Sequence, residues 1–276
     1  MTDGVREATL ARLALLDERV KAAVGTAQLA EPAMVDALRG LVITDQQALR
    51  TARGERSGPL ASGSLGPLDG SPLEQLAMRL GLDDVELDLL VIAAAPDLDP
   101  RYEQLFGYLH DDVTQRRASI GLALRLTGSE PTDVTARRRF GARSPLRQAG
   151  LVDVVDESRP FLTRPLRVPD RIAAALLGDH RPPDGLVRVE IEPLMETTPW
   201  IEALATSIAS GITFVHVEDR PERTAVALAV SSVVLATGFA VVVELLDRDE
   251  PAAAVEEAIR ETMLCAGGLV IDSADA

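Results

Sequence analysis

At 276 residues with 46% hydrophobic content, the chain is long enough for two domains with sizeable cores, and 3% aromatics leave those cores to Leu, Val, Ile and Ala. A formal net charge of -15 and a pI of about 4.7 oppose general attraction to nucleic acid or to an anionic membrane. The single Cys265 excludes an intrachain disulfide, Lys21 is the only lysine, and no apolar run has the length of a bilayer span.

The first residues carry charge and no apolar signal core, so a cytoplasmic location is expected. Residues 1–52 read as a helical hairpin, or as two helices that pack on something else. Leu10, Leu13, Leu16, Val20 and Val24 recur at helical spacing, and a second run after Glu31-Pro32 carries Met34, Leu38, Leu41 and Leu49. An ordinary amphipathic pair and an oligomerising coiled coil both fit this stripe. Residues 53–71, dominated by Gly, Ser and Pro, are expected to be a flexible linker.

Residues 72–180 read as a winged-helix domain. Ser71-Pro72-Leu73-Glu74 opens a helix that Gly81 stops. Asp83 opens the next, which should end before Pro96, and Asp99-Pro100 opens a third. A fourth carries Ile120, Leu122, Leu124 and Leu126, and Ser144-Pro145-Leu146 starts a short one ending at Gly150. Two strand-like runs follow, Leu151–Val155 and Phe161–Val168, and then a helix from Arg171 to Leu177. Helices followed by a two-stranded hairpin and a packing helix make a winged-helix pattern.

Residues 185–276 alternate strand and helix. Val187, Val189 and Ile191 suggest an entering strand. Strands at Thr213–Val217, Ala240–Leu245 and Gly268–Asp272 are separated by helices at Glu222–Thr237 and Pro251–Ala266. The spacing and the continuously apolar strands predict a three-layer α/β module with a parallel sheet.

The order of strand, loop ending in Arg223-Thr224, helix, strand, helix and hydrophobic strand ending in Asp272 resembles the first half of an AAA+ ATPase domain. The phrases LDLLVIAAAPDLDPRYEQLFGYLHDD (87–112), SPLRQAGLV (144–152) and FLTRPLRVPDRI (161–172) resemble the winged-helix segment preceding the ATPase modules of large bacterial AAA+ proteins. The resemblance implies company with contractile injection systems, and an inactive ATPase module followed by an active one. It also implies that Arg223, Thr224 and Asp272 occupy the nucleotide and magnesium positions.

The departures from that pattern matter more. A phosphate-binding loop reads GxxxxGK followed by Ser or Thr. Val217 and Glu222 stand at its glycines and Arg223 at its lysine. Side chains there obstruct the backbone wrap around phosphate. A carboxylate about 4 Å from phosphate costs about 4 kcal/mol at an effective dielectric of about 20, roughly a thousandfold in affinity. Ser273 stands where the family carries its catalytic glutamate. No ATP hydrolysis, and no bound cofactor, is therefore expected of this degenerate, incomplete module. The sequence ends just after the third predicted strand, so it reads as the front part of a longer protein.

One basic cluster stands out. Arg137, Arg138, Arg139, Arg143 and Arg147 lie in a stretch with no acidic residue between Asp133 and Asp153. A protein-facing patch, a DNA contact, and a solvated or internally paired face all fit, although Asp153, Asp156 and Glu157 on the wing oppose duplex phosphates. Asp97, Asp99, Glu103, His110, Asp111 and Asp112 are explained by helix ends rather than by a metal, and His180 and His216 are isolated. The expected function is a non-catalytic regulatory or assembly region that binds a protein partner or itself. An active nucleotide-binding module and a DNA-binding regulator are the alternatives.

Overall fold

The computed structural model describes residues 2–29, 58–61, 63–65, 70–179, 181–191, 199, 203, 238–244, 250–265 and 268–272. The chain divides into two compact units, Met1–Asp179 and His180–Ala276.

In the first unit, α1 (Thr2–Leu29) buries Val5, Leu13, Leu16, Val20 and Ala23. Helices α2 (Pro72–Arg79) and α3 (Asp84–Leu98) start where the sequence places them. Ser71 Oγ accepts from Glu74 N at 3.2 Å. Asp83 and Glu86 form a reciprocal capping box: Glu86 N donates to Asp83 Oδ1 at 2.8 Å and Asp83 N donates to Glu86 Oε2 at 3.2 Å. Gly81, at φ +70, turns the chain between the two helices in a conformation that favours glycine.

α3 is buried on every face from Glu86 to Pro96, as an all-round apolar helix should be. It packs against α1, α4 (Arg101–His110), α5 (Ile120–Leu126) and the later helix α8 (Asp170–Leu176). Its expected stop before Pro96 is corrected, because the helix runs on to Leu98. One missing amide bond is outweighed by burial, and Asp99 N still closes the last turn on Ala95 O at 2.9 Å.

After α5 come two short helices, α6 (Val134–Arg138) and α7 (Pro145–Gln148). A hairpin of β1 (Asp153–Val154) and β2 (Leu166–Arg167) follows, paired antiparallel with Asp153 opposite Arg167. Ser119 bridges Pro165, and Leu166 N donates to Ala118 O at 2.8 Å, which adds a third rung. The strands are shorter than expected because Phe161–Thr163 coils into a 3-10 turn between two prolines, Pro160 and Pro165. That turn lies so close to α5 that a Cβ on Gly121 would sit 2.9 Å from Leu162 O.

Two expectations for the N-terminal residues meet the structure here. α1 packs on α2, α3, α4 and α8 within the first unit, and the expected second half of the hairpin lies outside the described residues. The described part of the expected flexible linker is tied down. Leu60 N donates to Arg125 O and Arg125 Nε to Gly58 O, both at 2.9 Å. Arg19 donates to Gly63 O and Leu126 O, both at 2.8 Å, and also to Ser64 O. Composition encodes freedom of an isolated chain, and these cross-links come from residues far away in sequence.

In the second unit, β3 (Leu186–Ile191), β4 (Gly238–Glu244) and β5 (Gly268–Asp272) form a sheet in that order. β4 and β5 are parallel, with Val242 opposite Val270. Helix α9 (Pro251–Cys265) connects them and contacts both, as a parallel pair requires. Ala254 and Ala258 of α9 join Leu186 and Leu269 in a small core. β3 is antiparallel to β4, Leu186 against Val243, so the sheet expected to be parallel is mixed among the described residues. A strand's apolar pattern records which faces are covered and carries no direction. The expected strand Thr213–Val217, and the loop and helix after it, lie outside the described residues, so a parallel P-loop sheet is not seen among those that are described.

Candidate functional site

The first unit's arginine-rich segment, α6 and α7, immediately precedes the β1–β2 hairpin. Asp133 caps α6, accepting from Thr135 N at 2.7 Å. Sequence reasoning missed this helix, although Asp before Val134 was a usable start signal. α7 begins at Pro145 after Ser144, and Gly150, at φ +59, turns the chain into the hairpin.

The five arginines fall into two groups. Arg137 donates to Pro131 O at 3.0 Å, and its guanidinium lies 4.4 Å from the centroid of the Phe161 ring, joining α6 to the hairpin loop. Arg139 pairs with Asp83 at 2.6 Å and with Glu86 at 3.6 Å, fixing α6 to the start of α3. Burial nevertheless pushes the Glu86 carboxyl above its ordinary pKa. Arg138 and Arg143 are exposed and Arg147 is half-buried. These three have no hydrogen-bond or ion-pair partner among the described residues.

The hairpin beside them is largely self-neutralised. Arg167 pairs with Asp153 and Arg159 with Asp156, each at 2.8 Å. Asp156 sits at φ 55, and the Ser158 hydroxyl, followed by Arg159, holds its carboxyl below the ordinary range. Glu157 is exposed at the tip.

A buried polar seam lies elsewhere in the first unit. Asp88, fully buried on α3, accepts from Arg12 Nε at 2.7 Å and from Leu65 N at 2.5 Å. Burial raises its carboxyl pKa, opposed first by the Leu65 N–H and then by Arg12. The seam was visible in the sequence only as a lone acid inside LDLLVIAAAP. His110, at the end of α4, has Nε2 2.9 Å from Ser119 Oγ and 3.3 Å from Ser119 N. Burial lowers its pKa from 6.5 to about 4, so the ring is neutral. Asp99 accepts from Arg101 N at 2.9 Å and so acts as a turn former. No group of three or more potential metal ligands occurs among the described residues.

Of the positions that the resemblance assigns to nucleotide and magnesium, Arg223 and Thr224 lie outside the described residues. Asp272 ends β5, in register with Glu244 at the end of β4. Carboxyl ends of parallel strands are where open α/β sheets hold ligands, but the rest of such a site is not among the described residues.

A family described as winged helix domain, variant, matches residues 13–190, more than half of the chain. The chain belongs to that winged-helix family. The winged-helix match starts within α1, so the helix assigned at first to a separate hairpin is shared by the matched region. No curated protein and no solved structure matches the chain. Winged-helix membership supports a regulatory role through binding of protein or nucleic acid. No helix among the described residues is long and apolar enough to cross a membrane.

Proposed function

We propose that the chain is a non-catalytic, protein-binding winged-helix region of an AAA+ ATPase, where it serves regulation or assembly. The carrying observation is the charge state of the face beside the wing. Two of its five arginines are anchored internally, at Phe161 and at Asp83, and the wing carries Asp153, Asp156 and the exposed Glu157. A duplex laid across that face would meet carboxylates as well as guanidiniums. The unit of β4, α9 and β5 ending in Asp272 supports descent from an ATPase module. The residues Val217, Glu222 and Ser273 argue against turnover by it. On this reading the chain holds no nucleotide of its own and works in the cytoplasm, and ATP hydrolysis in a contractile injection apparatus belongs to a separate active module.

Three measurements test the proposal. Fluorescence anisotropy with a duplex at about 50 mM salt should show no binding; salt-dependent binding lost in Arg138→Glu would make the chain a DNA-binding regulator instead. Melting with about 1 mM ATP and magnesium should be flat, whereas a site of about 10 µM affinity would stabilise by about 2.7 kcal/mol. A photo-crosslinking residue at the exposed Thr135 should yield a discrete protein adduct in the native host. A host in which only nucleic acid is captured would overturn the protein-binding assignment.

A further inference from the structure

The arginines of α6 are not equivalent. Arg137 is held over Phe161 and Arg139 against Asp83 and Glu86, so both flanks of Arg138 are anchored to different elements. That arrangement fixes the end of α6 and leaves Arg138 exposed between the two anchors. Elsewhere in the first unit, Arg101, Arg116, Arg117, Arg159 and Arg167 each face a carboxylate within 3.4 Å. In a chain of net charge -15, Arg138, Arg143 and Arg147 gather within ten residues three guanidiniums with no hydrogen-bond or ion-pair partner among the described residues. Gly141 N donates to Arg138 O and Ser144 N to Gly141 O, both at 3.0 Å, so consecutive turns connect Arg138 to Arg143 and α7. Val134 is 60% exposed and stands four residues before Arg138, on the same side of the helix.

We propose that this face, formed by Val134, Arg138, Arg143 and Arg147, binds an acidic protein segment that places an apolar side chain on Val134 and carboxylates on the arginines. The inference rests on the protein-binding reading above and names the partner's chemistry. Charge complementarity selects it. A carboxylate is a planar two-oxygen acceptor that matches a guanidinium fork, whereas a duplex would also bring its phosphates toward the acidic wing that carries Asp153, Asp156 and the exposed Glu157.

The test uses the full chain and a dye-labelled 15-residue peptide of Glu, Leu and Ala, with a Lys, Leu and Ala peptide as control. Anisotropy at low salt should show binding of the Glu peptide alone. The Arg138→Glu, Arg143→Glu double variant should weaken it by about tenfold or more, since two exposed pairs are lost. Val134→Ser should weaken it less, and Arg79→Glu, an exposed arginine on α2, should leave it unchanged. Melting curves matching the parent keep the loss attributable to the face. No binding of the Glu peptide, or an equal loss with Arg79→Glu, overturns the inference while leaving a protein partner elsewhere on the chain open to the crosslinking test. Arginine-dependent binding of duplex in place of peptide overturns both readings.

Discussion

Arg12 and Asp88 lie 76 residues apart and meet in the core, with a guanidinium nitrogen 2.6 Å from a carboxylate oxygen and both side chains nearly inaccessible. This pair ties α1 to the central helix α3. Breaking a buried pair by removing one partner leaves an uncompensated charge and costs about 3–5 kcal/mol. Arg12→Met should therefore destabilise the first unit by that amount in urea denaturation. Arg12→Met combined with Asp88→Leu should recover part of the loss, though Leu65 N then lacks its acceptor.

The burial of His110 makes stability depend on pH. The unfolded imidazole takes up its proton near pH 6.5 and the folded one near pH 4. Between those values the unfolded state binds more protons, so stability rises with pH. The contribution is complete above about pH 6.5 and falls away toward pH 4, by roughly 3 kcal/mol in all. Asp88 and Glu86, whose carboxyls burial raises, act with the opposite sign. The difference between parent and His110→Gln, measured by urea denaturation from pH 4 to 7.5, isolates the histidine. A parallel pair of curves would remove this assignment.

Gly121 decides how closely the wing approaches α5. A methyl group there meets the Leu162 carbonyl at 2.9 Å, a backbone atom that cannot swing aside. Gly121→Ala should cost about 1–3 kcal/mol despite the better helix propensity of alanine. Protease sensitivity in the hairpin loop should rise along with the loss in melting temperature.

The neighbouring arginines should separate cleanly. Arg139→Ala removes the partner of Asp83 and of the largely buried Glu86, and should cost about 1 kcal/mol. Arg138→Ala, on an exposed side chain without a partner among the described residues, should stay within about 0.5 kcal/mol. Thermal melting of the two variants checks the contrast.

Local chemistry was legible in the sequence. Ser71 and Asp83 announced their helices through short-range caps, and the limits of β5 could be read from an apolar run between Gly268 and Asp272. What escaped depends on distant residues. Nothing near Gly63–Leu65 signals that Arg19 and Asp88 hold those backbone groups, and no alternation of side chains says that β3 runs against β4. The arginine cluster was recognisable as a run, but only the positions of Phe161 and Asp83 distinguish its anchored members from its free ones.

The amide of Leu65 and the guanidinium of Arg12 share one acceptor residue, Asp88, so residues 63–65 are held in a fixed register against the first helix. Adding or deleting one residue between Gly63 and Leu65 would slide the amide off its carboxylate and loosen the seat of the first helix at the same stroke.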